Sequence, residues 1–216
     1  MRLFFLAARI QQSMISAAAI PMEVLVGLDA EVARLRRGDL DALATLVQRY
    51  QHRLYRYLLR LVRQPAEAED LFQQTWLRVA SQIRRFDPRR NFDAWLFTLA
   101  RNLAIDHLRR IRPESLDEWD SREFAPTPPA LRDSAPPTID VMIARERSEF
   151  VAAAVQKLPV IYSEVLSLRF EEEMKLEEIA EVLNAPLSTI KSRLRRGLEG
   201  VREILEARYP GTRAHE

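Results

Sequence analysis

Cysteine is absent from the sequence, which excludes disulfides, thiolate zinc sites and cysteine nucleophiles and fits a reducing compartment. Glycine is scarce: the 216 residues contain five, and none stands in a phosphate-binding loop motif. The histidines (His52, His107 and His215) lie far apart in sequence. No sustained alternation of apolar and polar residues indicates a β-strand. We therefore expect a helical protein without a metal, a cofactor or a catalytic site.

Charge is balanced over the whole chain but not along it. The 33 basic and 31 acidic residues leave a net charge of +2, which says little about partners. Residues 84–112 hold eight arginines and three aspartates, a local excess of +5, whereas residues 113–140 hold seven acids and two arginines, a net −5. Six of the twelve prolines lie within residues 112–139. We expect that stretch to be a flexible acidic linker between two helical domains.

The apolar spacing of residues 175–200 predicts a helix-turn-helix. The first helix is expected over residues 175–183. Asn184-Ala185-Pro186 ends it, because asparagine tolerates a left-handed cap and proline disfavours helical geometry in the residue before it. The apolar face of this first helix is Leu176, Ile179, Ala180 and Leu183.

The second helix of this motif is expected to begin with Ser188 or Thr189 as its N-cap. Its predicted inner stripe is Ile190, Leu194, Leu198 and Val201. Its predicted outer face carries short hydroxyl and basic side chains, with Arg193 on its flank: Ser188, Thr189, Lys191, Ser192, Arg195 and Arg196. Such a helix suits the major groove of DNA. The alternative is an ordinary helical hairpin with a solvated basic face.

The first half of the chain shows two strongly amphipathic segments. The first, after Gly38, has apolar residues at helical spacing that are expected in the core: Leu40, Leu43, Leu46, Val47, Tyr50, Leu54, Tyr57, Leu58 and Leu61. The second, residues 65–83, has its core stripe at Phe72, Trp76, Val79 and Ile83. Off that stripe lie Asp70, Gln73, Gln74, Leu77 and Arg78. This second face is either solvated or docks a partner.

A basic loop, residues 84–91, and a helix over residues 92–111 follow. The residues expected inside are Trp95, Leu96, Leu99, Leu103 and Leu108, and those expected outside are Arg101, Asn102, Asp106, Arg109 and Arg110. Arginines beside Phe86 and Phe92 suit single-stranded nucleic acid, since charge follows the backbone and aromatic faces hold bases. The alternative is a structural helix whose arginines reach solvent.

After the linker, helices are expected over residues 140–158 and 160–170, and residues 171–173 are expected to form a solvated acidic bend. Residues 1–24 are expected to be a disordered extension. They could instead reflect an upstream start, with Met22 as the true beginning, or a targeting segment, although polar residues keep their apolar run far short of a membrane span. The fold class is therefore all-α, with helical domains at residues 25–111 and 140–210 joined by the linker at 112–139.

The order of these motifs resembles bacterial RNA polymerase sigma factors of the sigma-70 family, in the extracytoplasmic-function (ECF) group. The first domain carries AEDLFQQTWLRV followed by FDAWLFTLARNLAIDHLRR. The second carries LPVIYSEVLSLRF followed by LEEIAEVLNAPLSTIKSRLRRG. Two departures stand out: Leu187-Ser188 replaces the small residue usual before the threonine of the recognition helix, and the N-terminal extension is atypical.

The resemblance implies a role for each surface. The first domain would be region 2, binding the clamp helices of the polymerase β′ subunit through Asp70, Gln73, Gln74, Leu77 and Arg78. It would also hold the −10 element, with a flipped base, through Arg84, Phe86, Asn91, Asn102, Asp106, Arg109 and Arg110. The second domain would be region 4, which contacts the β flap and reads the −35 element through the outer face of its recognition helix.

The implied function is a cytoplasmic promoter-specificity subunit of RNA polymerase, not an enzyme, with an anti-sigma factor as a further partner and no membrane insertion. Three alternatives differ from it. An autonomous helix-turn-helix regulator would bind promoter duplex without polymerase. An enzyme with a DNA-binding tail would need a nucleophile, metal or phosphate site, and a decoy would bind polymerase without reaching DNA.

Overall fold

A computed structural model describes residues 27–111 and 151–208, which fall in two compact units divided between Ile111 and Arg112. Every regular element in these two ranges is helical, so the all-α fold class is confirmed. The expectations for the N-terminal extension, the linker and most of the helix at residues 140–158 lie outside the described residues. None of the described helices is both long and apolar enough to cross a membrane.

Residues 27–111, the described part of the first unit, contain four α-helices: α1 (Leu28–Arg36), α2 (Leu40–Val62), α3 (Pro65–Gln82) and α4 (Phe92–Ile111). A 3₁₀ turn, Ile83–Arg85, follows α3. Helix α2 packs on α1, α3 and α4, and α3 also packs on α4. The core of this unit therefore lies around α2 and α3.

Local sequence signals set the ends of α2 and the start of α3. Gly38 has a positive φ of 95°, which allows the sharp turn after α1. Asp39 then caps α2, because its carboxylate accepts a hydrogen bond of 2.9 Å from the backbone N–H of Asp41. Arg63 ends α2 in the left-handed conformation, and Pro65 is the first residue of α3, where no backbone N–H is needed.

The predicted core stripes of α2 and α3 are confirmed with one exception. Phe72, Trp76 and Val79 on α3 are fully buried. On α2 the prediction for Leu40 is wrong, since its side chain is 48% exposed. Leu40 is the first residue of the helix, and burial begins with Ala42 and Leu43.

The five residues predicted to be mostly interior on α4 are all at least half-buried, but only one of them is fully in the core. Leu96 is buried, but the other members of that set are only half-buried: Trp95, Leu99, Leu103 and Leu108. The buried residues are instead Phe92, Ala94, Leu96, Phe97, Ala100, Ala104 and Ile105. Small alanines allow α4 to approach its neighbours closely, which turns the larger leucines toward the edge of the interface.

The second unit contains α5 (Val160–Phe170), α6 (Leu176–Leu183) and α7 (Leu187–Arg208), preceded by helical residues 151–156. Helix α5 has the predicted bounds. Asn184 ends α6 with φ 48° and ψ 50°, which confirms the left-handed cap. The bend between α5 and α6 is not wholly solvated as predicted, because Glu172 is buried.

Two predictions for α7 are wrong. The helix begins at Leu187, and the N–H of Ile190 donates to the carbonyl of Pro186 at 3.1 Å, so neither Ser188 nor Thr189 is the N-cap. Leu198, expected on the inner stripe, is 47% exposed. Gly197, and not Leu198, faces α5 at this point of the helix: a Cβ at Gly197 would lie 3.1 Å from Cδ1 of Leu166 on α5. The missing side chain lets α5 and α7 pack closely.

Candidate functional site

The face of α3 opposite its core stripe is available to a partner. Asp70, Gln74 and Arg78 are exposed, and Gln73 and Leu77 are half-buried. All five predicted residues therefore share this accessible side, which we call the α3 face. Leu77 supplies its apolar contact and the others supply polar groups. Mixed apolar and polar contacts of this kind suit docking on another protein.

The basic loop between α3 and α4 is built around two side-chain caps. Asp87 accepts a hydrogen bond of 3.0 Å from the backbone N–H of Arg89, which forms the turn. Asn91 caps α4 by accepting a hydrogen bond of 3.1 Å from the N–H of Ala94. The arginines of the loop are exposed: Arg84, Arg85, Arg89 and Arg90. The two caps fix the backbone that carries them into the start of α4.

Phe86, predicted to lie around the bound strand, offers almost no open ring face to a base. Its side chain is only 5% exposed, because its ring packs 4.8 Å from that of Trp95 and edge-on to Phe92. Phe92, the other aromatic residue considered for this role, is also buried. Trp95 is the partly exposed aromatic residue in this cluster. The sequence did not reveal this, since the exposure of each ring is set by contacts between Phe86, Phe92 and Trp95 and not by the residues next to each in the chain.

The outer face of α4 carries the remaining predicted residues of the first unit. Asn102, Asp106, Arg109 and Arg110 are all exposed. Arg109 lies 3.9 Å from Asp106, a surface ion pair that contributes little to stability. These side chains can therefore bind an external ligand without breaking the core. Loop and helix together present a basic surface that contains amide and aromatic groups.

A polar cluster that the sequence did not reveal ties α4 to α2 below the basic loop. The hydroxyl of Tyr50 donates a hydrogen bond to the carboxylate of Asp93, and Arg53 forms an ion pair with that carboxylate at 3.0 Å. The guanidinium of Arg53 also lies over the rings of Tyr50 and Phe97, at 5.3 and 5.9 Å. Burial, together with the charge of Asp93, raises the pKa of Tyr50 well above its usual range. Tyr50 is therefore a neutral donor that holds the start of α4.

The second unit presents the outer face of α7. Ser188, Lys191, Arg195 and Arg196 are exposed, while Thr189, Ser192 and Arg193 are half-buried. The hydroxyl of Ser192 donates to the carbonyl of Thr189 at 3.0 Å, so part of its hydrogen-bonding capacity is used within the helix. Arg195 lies 3.5 Å from Glu199, an exposed ion pair. The exposed residues form one polar and basic side at the beginning of α7.

The described residues contain no group of three or more histidine, aspartate or glutamate side chains that could hold a metal ion. Nε2 of His107 on α4 lies 3.2 Å from Oε2 of Glu67 on α3. The described residues therefore present three surfaces suited to binding: the α3 face, the loop with the outer side of α4, and the outer side of α7.

Two family models match the chain and divide it as the units do. Sigma-70 region 2 matches residues 46–114, and Sigma-70, region 4 matches residues 151–199. The ECF RNA polymerase sigma factor SigW of Bacillus subtilis is 33% identical over 190 residues, covering 85% of this chain and 98% of SigW. The similarity thus extends over nearly the whole length of that relative.

Solved structures show the same fold. CnrH in complex with the cytosolic domain of CnrY gives a TM-score of 0.57 at 23% identity and covers 83% of this chain and 97% of that chain. The sigma factor RpoE in complex with the anti-sigma factor NepR, from Bartonella quintana, gives a TM-score of 0.55 at 22% identity and covers 74% and 94%. At these identities the likeness concerns architecture alone.

Proposed function

Because this chain belongs to the ECF group of the sigma-70 family of RNA polymerase sigma factors, we propose a specific role for each of its exposed faces. The protein binds core RNA polymerase and directs it to promoters by recognising their −10 and −35 elements. We further propose that individual residues carry these tasks, and that region 2 spans residues 25–111 and region 4 spans residues 140–210.

The α3 face is the proposed contact with the β′ clamp helices. The supporting observation is that the two sides of α3 differ in burial. Trp76 is fully buried in the core, whereas its neighbour Leu77, on the other side of the helix, is only half-buried. A leucine kept partly in water beside exposed Asp70 and Arg78 is an apolar anchor with a polar rim. The β flap is the proposed second contact, made by region 4.

The basic loop and the outer side of α4 are the proposed −10 surface. Exposed Arg84, Arg109 and Arg110 can bind the phosphates of the non-template strand, and Asn102 can hydrogen-bond to a base. Asn91 contributes by capping α4. Phe86 contributes by supporting Trp95, so we assign the aromatic contact with an unstacked base to Trp95. Flipping that base costs a few kcal/mol, which these contacts offset.

The outer side of α7 is the proposed −35 surface. The observation that carries it is the placement of four exposed polar or basic residues in the first turns of a helix whose opposite side is buried: Ser188, Lys191, Arg195 and Arg196. The N-terminal turns of a recognition helix are those that meet base edges in the major groove. Thr189, Ser192 and Arg193 lie at the flanks of this surface.

Three further assignments follow from family membership. An anti-sigma factor is a proposed partner, in line with the complex of RpoE with NepR, and it would cover the DNA-binding faces. The protein is proposed to act in the cytoplasm, where polymerase and promoter DNA are. It is proposed to catalyse no reaction itself and to need no cofactor, its chemical contribution being the binding energy that opens the start site.

Replacing Lys191 or Arg195 with alanine should weaken upstream-element binding. If the side chain contacts a base edge, each change should cost ~1–3 kcal/mol, a roughly 5- to 150-fold loss of affinity. The measurement is run-off transcription and fluorescence anisotropy with the holoenzyme on a cognate promoter. Arg202→Ala is the matched control, since Arg202 is exposed on the same helix but about four turns from the helix start and is paired with Glu206 at 2.7 Å.

This assignment would be wrong if both substitutions behaved like the control. A promoter with a scrambled −35 element provides the second comparison. On that template the wild-type protein and the two variants should show equally weak binding and equally low run-off transcription. None of them can make the contact between α7 and the correct −35 bases there.

A further inference from the structure

A second group of arginines lies beside the basic loop but belongs to α1. Helix α1 ends in Arg36, Arg37 follows it, and α1 packs against the 3₁₀ turn that carries Arg84 and Arg85. A Cβ placed on Gly38 would lie 3.8 Å from Nη2 of Arg84, which shows how closely the end of α1 approaches that turn. We call these four residues the α1 arginine cluster.

The charge of this cluster is not balanced within the described residues. Arg34, one turn earlier, is neutralised by Asp39 at 2.8 Å and by Glu31 at 3.8 Å, and the hydrogen bond from Arg34 keeps the pKa of Asp39 below its usual range. Among residues 27–111 and 151–208, no hydrogen bond or ion pair is made by the side chains of the cluster: Arg36, Arg37, Arg84 and Arg85.

Arg36 is the most informative member of the cluster. Its Nε atom is buried and has no hydrogen-bond partner among the described residues, although a buried guanidinium N–H without a partner is costly. Arg36 as a whole is half-buried, and Arg37, Arg84 and Arg85 are exposed. An anion bound at the exposed part of the cluster would offset the repulsion among four like charges.

The helix dipole explains only part of this arrangement. Basic residues in the last turn of a helix are favourable there, and this accounts for Arg34 and Arg36. It does not account for Arg37, which lies beyond the helix, or for the approach of Arg84 and Arg85 from a different element. Two arginines from the end of α1 and two from the 3₁₀ turn therefore lie close together, and an anion that binds both pairs would explain this arrangement.

We propose that Arg36 and Arg37 extend the −10 surface and bind backbone phosphates of promoter DNA next to the −10 element. Guanidinium groups match phosphate oxygens in charge and geometry, and such contacts position the DNA without reading its sequence. Arg36 and Arg37 lie outside the matched region 2 model, which begins at residue 46. The inference rests on the proposed −10 surface, because Arg84 joins the two.

The test uses the full chain with core polymerase and a short DNA fork that carries the −10 element and its flanks but no −35 element. The variant is Arg36→Gln/Arg37→Gln, and binding is measured from 50 to 300 mM salt. Loss of two phosphate contacts should reduce the slope of log Kobs against log salt by about 1.5, at roughly 0.7–0.9 per phosphate. Arg36→Lys/Arg37→Lys should keep most of the wild-type slope.

A charge-matched control lies in the second unit. Lys157→Gln/Arg202→Gln removes the same two charges from exposed positions of region 4, which the fork does not engage, and should leave the slope unchanged. A single-stranded non-template oligonucleotide is the second probe. A reduced slope with both probes locates the phosphates on the displaced strand, and a reduced slope with the fork alone locates them on the duplex.

The inference is overturned if the Gln variant has the wild-type slope while Arg109→Gln/Arg110→Gln weakens binding. If neither pair changes binding, the proposed −10 surface itself is wrong, so the two failures can be told apart. Should Arg36→Gln destabilise the fold in a thermal melt, Arg37→Gln alone, at an exposed position, should still reduce the slope by about 0.8, and an unchanged slope there would also overturn the inference.

Discussion

Leu77→Asp should separate the folded sigma factor from polymerase. A carboxylate in the apolar centre of the α3 face would be desolvated on docking without a partner, which costs on the order of 2–4 kcal/mol, or roughly 30- to 1000-fold in affinity. Promoter-specific transcription should fall by a similar factor at limiting protein. Because Leu77 is half-buried and off the core stripe, the helical spectrum and melting temperature should change little.

Gln48→Asp is the matched control, since it adds the same charge at an exposed position of α2. Size-exclusion chromatography with core polymerase should show the control co-eluting and the Leu77 variant eluting alone. Co-elution of a folded Leu77→Asp protein at wild-type affinity would mean that the α3 face does not dock on polymerase.

Trp76→Ala should unfold the first unit under conditions in which the wild-type protein is folded. The indole is fully buried and packs against Tyr50 and Phe72, with ring centroids 6.3 Å away in each case. Removing a buried tryptophan costs about 3–5 kcal/mol, a large share of the roughly 5–15 kcal/mol that stabilises a typical domain. We expect the melting transition of this unit to fall by on the order of 15–30 °C.

Two other substitutions make this expectation specific. Trp76→Phe should be much milder, because it keeps most of the buried surface and removes an indole N–H that has no partner in the described residues. Trp95→Ala should also be milder, since Trp95 is only half-buried. Equal melting temperatures for Trp76→Ala and Trp95→Ala would contradict the placement of Trp76 at the centre of the core.

The elements that sequence reasoning predicts well are those with strong local signals. Helices α2 and α3 have long apolar stripes with helical spacing, and a proline or a capping residue marks their ends. Asn184 ends α6 for the same local reason. The outer faces of α3 and α7 could be predicted because a side opposite a clear apolar stripe must meet solvent or a partner.

The errors arise where tertiary packing decides. Phe86 and Trp95 differ in exposure because one ring lies beneath the other, and no periodic pattern encodes that order. Leu198 is exposed because Gly197 occupies the close crossing with α5, so the interface follows the smallest residue and not the largest apolar one. The cluster of Tyr50, Arg53 and Asp93 joins residues about 40 positions apart in sequence.

The central claim is that two separate basic surfaces place polymerase at both promoter elements. The most direct measurement is to mix the purified protein with core RNA polymerase and genomic DNA, and to sequence the 5′ ends of the transcripts. We predict a small set of start sites that share two upstream motifs at fixed spacing, and we predict that Lys191→Ala reduces use of those sites. Start sites without a shared motif, or the same start sites when the protein is omitted, would contradict the account.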